Sequence, residues 1–153
     1  MDLTQTNHLK AYGVAFKSVK DTHQVKWLLN YRGGSFLLKD LQGIKNECNI
    51  RGVSFEIVSG SDIAIINDEI NANNMEVITL EKEPKIAVYT PPNSLPWDDA
   101  VTLALSYAEI DYDKVWDEEV LNGNLSDYDW IHLHHEDFTG QYGKFYGSYR
   151  NAQ

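Results

Sequence analysis

The sequence is poor in cysteine, in long apolar runs and in basic residues, and each shortage excludes a class of protein. A single cysteine, Cys48, permits no internal disulfide and no cysteine-rich metal site. No apolar run approaches the roughly 20 residues that a membrane-spanning helix needs. Acidic residues outnumber lysine and arginine 23 to 13, which gives a formal net charge of −10. We expect neither nucleic acid nor a membrane as partner, because both require a basic or strongly apolar face.

The composition is otherwise that of an ordinary globular protein. The chain has 153 residues, of which 42% are hydrophobic, and this is enough to bury a core. We therefore predict a single α/β domain over residues 1–153. Cys48 falls on the apolar face of a predicted helix over 40–51, where a small core residue is favoured over a nucleophile. The opening Met1-Asp-Leu-Thr-Gln is polar, unlike a secretory signal.

The first half of the chain alternates between helical and strand patterns. Apolar spacing predicts helices after Thr6 or Asn7, over 40–51, and after a cap at 59–62. It predicts strands over 25–29, 35–38, 53–58 and 75–80. Gly33-Gly34 is interpreted as a two-residue hairpin turn. The alternative is a close backbone approach to a ligand, with Arg32 binding an anion.

The second half predicts a parallel sheet. Strand patterns over 85–89, 112–116 and 129–134 are separated by a helix over 98–110 and by a turn or short helix over 118–125. Three prolines keep residues 90–97 in a loop. Alternating strands and helices favour right-handed crossover connections. The predicted fold class is therefore α/β, with a doubly wound, mostly parallel sheet.

A cluster of histidines and acids follows the last predicted strand, in WIHLHHEDFTG (130–140). On a strand, His132 and His134 point to one face, and His135 points to the other. Three interpretations are open. His132, His134 and Glu136 could ligate a metal, a histidine could contact a ligand or transfer a proton, or the cluster could be structural. The spacing lacks an established metal motif, so we expect no metal and no cofactor.

The cluster belongs to a wider predicted binding site for a small polar ligand. Loops after parallel strands leave a sheet at one edge, so the loop over 91–97 and the residues after His134 should share a rim. The predicted ligand-contacting residues are His132, His134, His135, Glu136, Asp137, Trp97 and Arg32. The aromatic segment 142–149 is interpreted as a covering helix, with a stacking surface for a sugar or another flat ligand as the alternative.

Long stretches of the sequence resemble a bacterial family often labelled asparagine synthetase B. The similarity lies in NHLKAYG, WLLNYRGGSFLL, KIAVYTPPNSLPWDDAVTLALSYAEIDYDKVWDEEVLNG and YDWIHLHHEDFTGQYGKFYGSYRNAQ. The segment around Tyr128-Asp-Trp-Ile-His-Leu133 is also similar to the third strand of class I glutamine amidotransferase-like domains. In those domains this strand leads into a loop that helps bind the substrate oxyanion. The resemblance implies an amidotransferase-like fold.

The resemblance carries further expectations about the whole protein. Members of the family are longer and usually exported, so this chain is expected to be the N-terminal part of an exported protein. The asparagine synthetase label is not supported by the motifs: Asp2, not cysteine, follows Met1, and Ser59-Gly-Ser-Asp62 lacks the second glycine and final serine of the ATP loop. An amidotransferase nucleophile would lie beyond Gln153.

Two function hypotheses follow. The first is the N-terminal part of an amidotransferase-like hydrolase or transferase whose nucleophile lies downstream. The second is a non-catalytic domain that binds a sugar-type ligand. A parallel strand near His134 normally has more sheet beside it, so an open sheet edge can also lead to self-association.

Overall fold

The first part of the chain is built on an antiparallel sheet. In this computed structural model, which describes residues 4–133, β1 (Val25–Leu29) is the central strand. It pairs antiparallel with β2 (Ser35–Leu38) on one side and with β3 (Glu76–Leu80) on the other. The β1–β2 connection is short, and short connections join antiparallel strands.

Three helices accompany this sheet: α1 (His8–Lys20), α2 (Gln42–Arg51) and α3 (Gly60–Ala72). Ala15 and Val19 of α1 form a buried cluster with Val25 of β1. This cluster follows from the helical spacing of apolar residues in α1, which places them on one face. Cys48 of α2 is buried, as predicted.

The second part of the chain is built on a parallel sheet. The central strand β4 (Ile86–Tyr89) pairs parallel with β5 (Asp113–Val115) and with β6 (Trp130–Leu133). Helix α4 (Ala100–Ala108) follows β4, and the short α5 (Asp117–Leu121) follows β5. The prediction that these three strands are adjacent and parallel is confirmed.

The described residues fall into two compact units. Unit 1 contains residues up to 84 together with 104–111, and unit 2 contains residues 85–103 and those from 112 onward. The antiparallel sheet lies in unit 1 and the parallel sheet in unit 2. The single-domain expectation stays a prediction. Among residues 4–133, no helix combines the length and apolar character needed to cross a bilayer.

Three expectations about secondary structure need correction. The α/β class is confirmed, but the described strands form two small sheets, one of them antiparallel, and not a single mostly parallel sheet. Residues 53–58 form no strand, because no described strand pairs with them. The β1–β2 connection spans residues 30–34 and is therefore longer than a two-residue turn. Four of its residues have positive φ: Asn30, Arg32, Gly33 and Gly34.

Candidate functional site

The candidate site lies at the carboxyl edge of the parallel sheet. The strand order is β5-β4-β6, so the chain passes from β4 to β5 on one side and then returns to β6 on the other side of β4. The strand order therefore reverses between β4 and β6. In open parallel sheets, ligands bind at such a reversal, in the crevice outside the carboxyl ends of the strands.

Both strands that flank the reversal are fixed in register. The backbone N–H of Lys85 donates to Oδ2 of Asp129 at 2.9 Å, and the N–H of Asp129 donates to the carbonyl oxygen of Lys85 at 2.9 Å. The Lys85 ammonium also lies 4.6 Å from the centre of the Tyr128 ring. These contacts set β6 beside β4 so that His132 is paired with Val88.

His132 faces a carboxylate at the start of α4. Its Nε2 lies 3.4 Å from Oδ1 of Asp99, a distance that allows an ion pair when the imidazole is protonated. The geometry is not that of a hydrogen bond, and Nε2 is buried without a hydrogen-bond partner among the described residues. The two groups are therefore close, but the imidazole is not satisfied by the carboxylate.

Asp99 is buried because it caps a helix. Its Oδ1 accepts hydrogen bonds from the backbone N–H groups of Val101 at 2.7 Å and Thr102 at 3.1 Å. These N–H groups have no partner within the helix, so an acidic cap stabilises them and is favoured by the helix dipole. The cap holds the carboxylate in one orientation toward β6.

Thr90 supplies a second unsatisfied polar group at the end of β4. Its backbone N–H donates to the carbonyl oxygen of Val115 at 3.0 Å. The side chain is 1% exposed, and its hydroxyl has no hydrogen-bond partner within residues 4–133. Most buried polar side chains do have a partner. The Thr90 hydroxyl and the His132 Nε2 thus mark the edge where β4 and β6 end.

The other side of β4 carries an aromatic and acidic group. The rings of Tyr89 and Trp116 are stacked with centroids 4.7 Å apart, and the Tyr89 hydroxyl donates to Oδ1 of Asp117. Because β4 and β5 are parallel, these residues also lie at the carboxyl edge. Asp117 begins α5, where the helix dipole favours an acid.

The structure describes three of the predicted site residues: His132, Trp97 and Arg32. His132 lies at this edge, and Trp97 is 67% exposed in the loop that follows β4. Arg32 lies in unit 1, where its Nη1 is 3.3 Å from Oε2 of Glu56, and its ligand-binding role stays a prediction. The remaining candidates lie outside the described residues: His134, His135, Glu136, Asp137 and the aromatic segment 142–149.

Sequence reasoning missed Asp99 and Thr90. Asp99 stands directly before an apolar helical pattern, which is the sequence signal for a helix cap. Thr90 carries no comparable signal, because a threonine after a strand is common. Within the part of the chain that the structure describes, no three His, Cys, Asp or Glu side chains are grouped to hold a metal ion.

Comparison of the chain with protein-family models, with curated proteins and with solved structures returned no match. The functional argument therefore depends on the residues and geometry described above.

Proposed function

We propose that the carboxyl edge of the parallel sheet binds the small polar substrate of an amidotransferase-like hydrolase or transferase. In this proposal the chain supplies substrate contacts, and the nucleophile and its histidine partner belong to a part of the protein that follows Gln153. The observation that carries the proposal is the pair of buried, unsatisfied polar groups, Thr90 and His132, on the two strands that flank the reversal of strand order.

The position of β6 supports the same proposal. The sequence over 128–133 resembles the third strand of amidotransferase-like domains, and β6 is the third strand of the parallel sheet in chain order. In such domains the loop after this strand contributes to oxyanion binding. β6 ends at Leu133, at the same edge where β4 ends at Tyr89, because the two strands are parallel neighbours.

Titration with L-glutamine tests the proposal directly. Glutamine offers both hydrogen-bond donors and acceptors to Thr90 and His132. We expect glutamine to shift backbone amide NMR resonances over 89–99 and 130–133, and to leave those of unit 1 unchanged. The absence of shifts in these segments would contradict the proposal.

A valine at position 90 sharpens the test. Thr90→Val keeps the side-chain shape and removes the hydroxyl, so we expect the Kd for glutamine to rise about two- to tenfold, the loss of one hydrogen bond. The melting temperature should not fall, because the hydroxyl has no described partner to lose. Thr79→Val, at an exposed position of β3 in unit 1, is the control and should alter neither value.

The second candidate is a non-catalytic domain that binds a sugar-type ligand. The exposed Trp97 ring favours it, because the ring offers a flat apolar surface in the loop after β4. Titration with glucose distinguishes the two candidates. Shifts around Trp97 with glucose, lost in Trp97→Ala and not produced by glutamine, would favour the sugar-binding domain.

A further inference from the structure

Unit 1 contains a cleft beside the outer edge of β2. Its volume is about 840 Å³, within the range of ligand-binding sites in proteins. Six consecutive residues, 35–40, line one side, and six more, 53–58, line the other. Among the described strands, β2 is the end strand of its sheet, so its outer edge is unpaired.

The segment 53–58 has the sequence of a strand but is paired with none. Its apolar residues alternate, yet it forms no strand in the structure. Side chains hold it in place instead. Gln5 Nε2 donates to the carbonyl oxygen of Ser54 at 3.0 Å, and Arg32 contacts Glu56. Two extended segments thus face one cleft without forming a common sheet.

Apolar side chains line the cleft on both faces of the sheet that β1 and β2 form. Lys26 and Leu28 of β1 are paired with Leu37 and Ser35, so these residues share one face of the sheet. Phe36 and Leu38 point to the other face, where they pack against the α1 cluster, and residues of α2 and α3 also line the cleft. The apolar and cysteine side chains that line it from the helices are Ala11, Val14, Ile44, Cys48, Ile63 and Ile66.

The charges around the cleft are mainly positive, unlike those of the chain. Four basic residues line it, Lys26, Arg32, Lys39 and Lys45, against two acids, Asp40 and Glu56. Lys45 contacts Asp40 at 2.8 Å, and Arg32 contacts Glu56. Within the described residues, this leaves Lys26 and Lys39 without a carboxylate partner. In a chain of net charge −10, such a site selects an acidic ligand.

We propose that this cleft binds an extended peptide segment that carries an acidic side chain and adds to β2 as a further strand. Main-chain hydrogen bonds to an open sheet edge provide affinity in this mode, and alternate side chains provide specificity. The bound segment would place its apolar side chains against α1 and α3 and its carboxylate near Lys26 and Lys39. This site is in unit 1 and is independent of the function proposed for unit 2.

The test uses a fluorescein-labelled hexapeptide, Thr-Val-Glu-Val-Thr-Val with a C-terminal amide, in fluorescence polarisation. We expect saturable binding, and a Kd at least fivefold weaker for the same peptide with lysine in place of glutamate. N-methylation of alternate backbone amides should weaken binding at least tenfold, because it removes the main-chain donors. Hydrogen exchange of the outward-facing β2 amides, which are not bonded to β1, should slow only when the peptide is bound.

Matched variants show whether the peptide binds in the cleft. Lys26→Glu should weaken binding at least fivefold, whereas Lys20→Glu makes the same charge change outside the cleft and should have little effect. Equal affinity of the plain and N-methylated peptides would overturn the proposal. So would binding of decanoate without peptide binding, which would indicate a small amphipathic anion. Protection of the outward-facing β2 amides in the absence of peptide would show that segment 53–58 already closes the edge, and would also overturn the proposal.

Discussion

The imidazole Nε2 of His132 on β6 lies 3.4 Å from Oδ1 of Asp99, the residue that caps α4. The same carboxylate oxygen accepts hydrogen bonds from two backbone N–H groups of the helix. One acidic side chain therefore has two roles in unit 2. It stabilises the start of α4 and presents a negative charge to the histidine at the candidate site.

Substitutions at Asp99 should separate these two roles. Asp99→Ala removes the cap and should lower the free energy of unfolding by about 1 kcal/mol. Asp99→Asn keeps a capping oxygen and should cost less, although it removes the negative charge beside His132. Urea unfolding of both variants measures the difference. Equal destabilisation by alanine and asparagine would show that the charge, and not the cap, stabilises the fold.

A glycine in α1 should be sensitive to the smallest substitution. Helix propensity alone predicts that Gly13→Ala stabilises the protein by about 1 kcal/mol. In the structure, a β-carbon at Gly13 would lie 1.9 Å from the carbonyl oxygen of Ala108, so we expect Gly13→Ala to destabilise it by about 1–3 kcal/mol. Thermal and urea unfolding will show whether Gly13→Ala stabilises or destabilises the protein.

Gly43 is the matched control for this prediction. It lies in α2, and a β-carbon there would meet no atom within 4 Å. Gly43→Ala should therefore stabilise the protein by about 0.5–1 kcal/mol, as helix propensity predicts. If the two substitutions change stability in the same direction, the close packing of Gly13 against Ala108 is not significant.

The stability of unit 1 should depend on pH through Glu109. A hydrogen bond from Lys10, with the charge of Arg51, lowers the pKa of this carboxyl below its ordinary 4.5. A lowered pKa in the folded state stabilises the fold above about pH 4.5, and this contribution is lost as the pH falls through the folded-state value. Because Glu109 is half exposed, the effect should be at most about 1 kcal/mol.

Glu109→Gln tests this pH dependence. The variant should be less stable than the original protein at pH 7, and the difference should be smaller at pH 2.5, because protonation of the carboxylate in the folded state removes its charge as the pH falls. Urea unfolding at the two pH values gives the comparison. If the two proteins differ in free energy of unfolding by the same amount at both pH values, packing of the side chain, and not its charge, is responsible.

The edge strand β6 should promote self-association. Trp130, Ile131 and Leu133 are 44%, 36% and 53% exposed, and β6 is the end strand of its sheet among the described residues. Exposed apolar edge strands pair with other chains, and a charge on the edge prevents this. We expect concentration-dependent sedimentation and hydrophobic-dye binding, both reduced in Ile131→Lys. Ile65→Lys, on exposed α3, is the control and should leave association unchanged.

Local sequence patterns predicted most of the elements correctly. The Ser59–Asp62 signal gives a capping box at the start of α3, and the apolar runs before Thr90 and within 129–134 give β4 and β6. These features depend on residues close in sequence. Helix α1 forms although it contains Gly13, because the packing of Ala15 and Val19 on Val25 outweighs the low helix propensity of one glycine.

Non-local features were predicted less well. The alternation over 53–58 indicated a strand, but a strand also needs a partner edge, and alternation does not specify one. The contact between Arg32 and Glu56 joins residues 24 positions apart, which no local pattern indicated, and the anion-binding role of Arg32 stays a prediction. The cluster over 134–137 lies outside the described residues, so its ligand-binding role stays a prediction.

The sequence by itself determined most of the helical and extended segments, the capping box at the start of α3, and that the strands over 85–133 are parallel. Only the tertiary structure decided that β3 pairs antiparallel with β1, that Asp99 meets His132, and that the Thr90 hydroxyl and the His132 Nε2 are buried without described partners. The physical reason is the range of the interactions. Turn chemistry, capping and periodicity act within a few residues, whereas strand order and burial depend on which distant segments exclude water together.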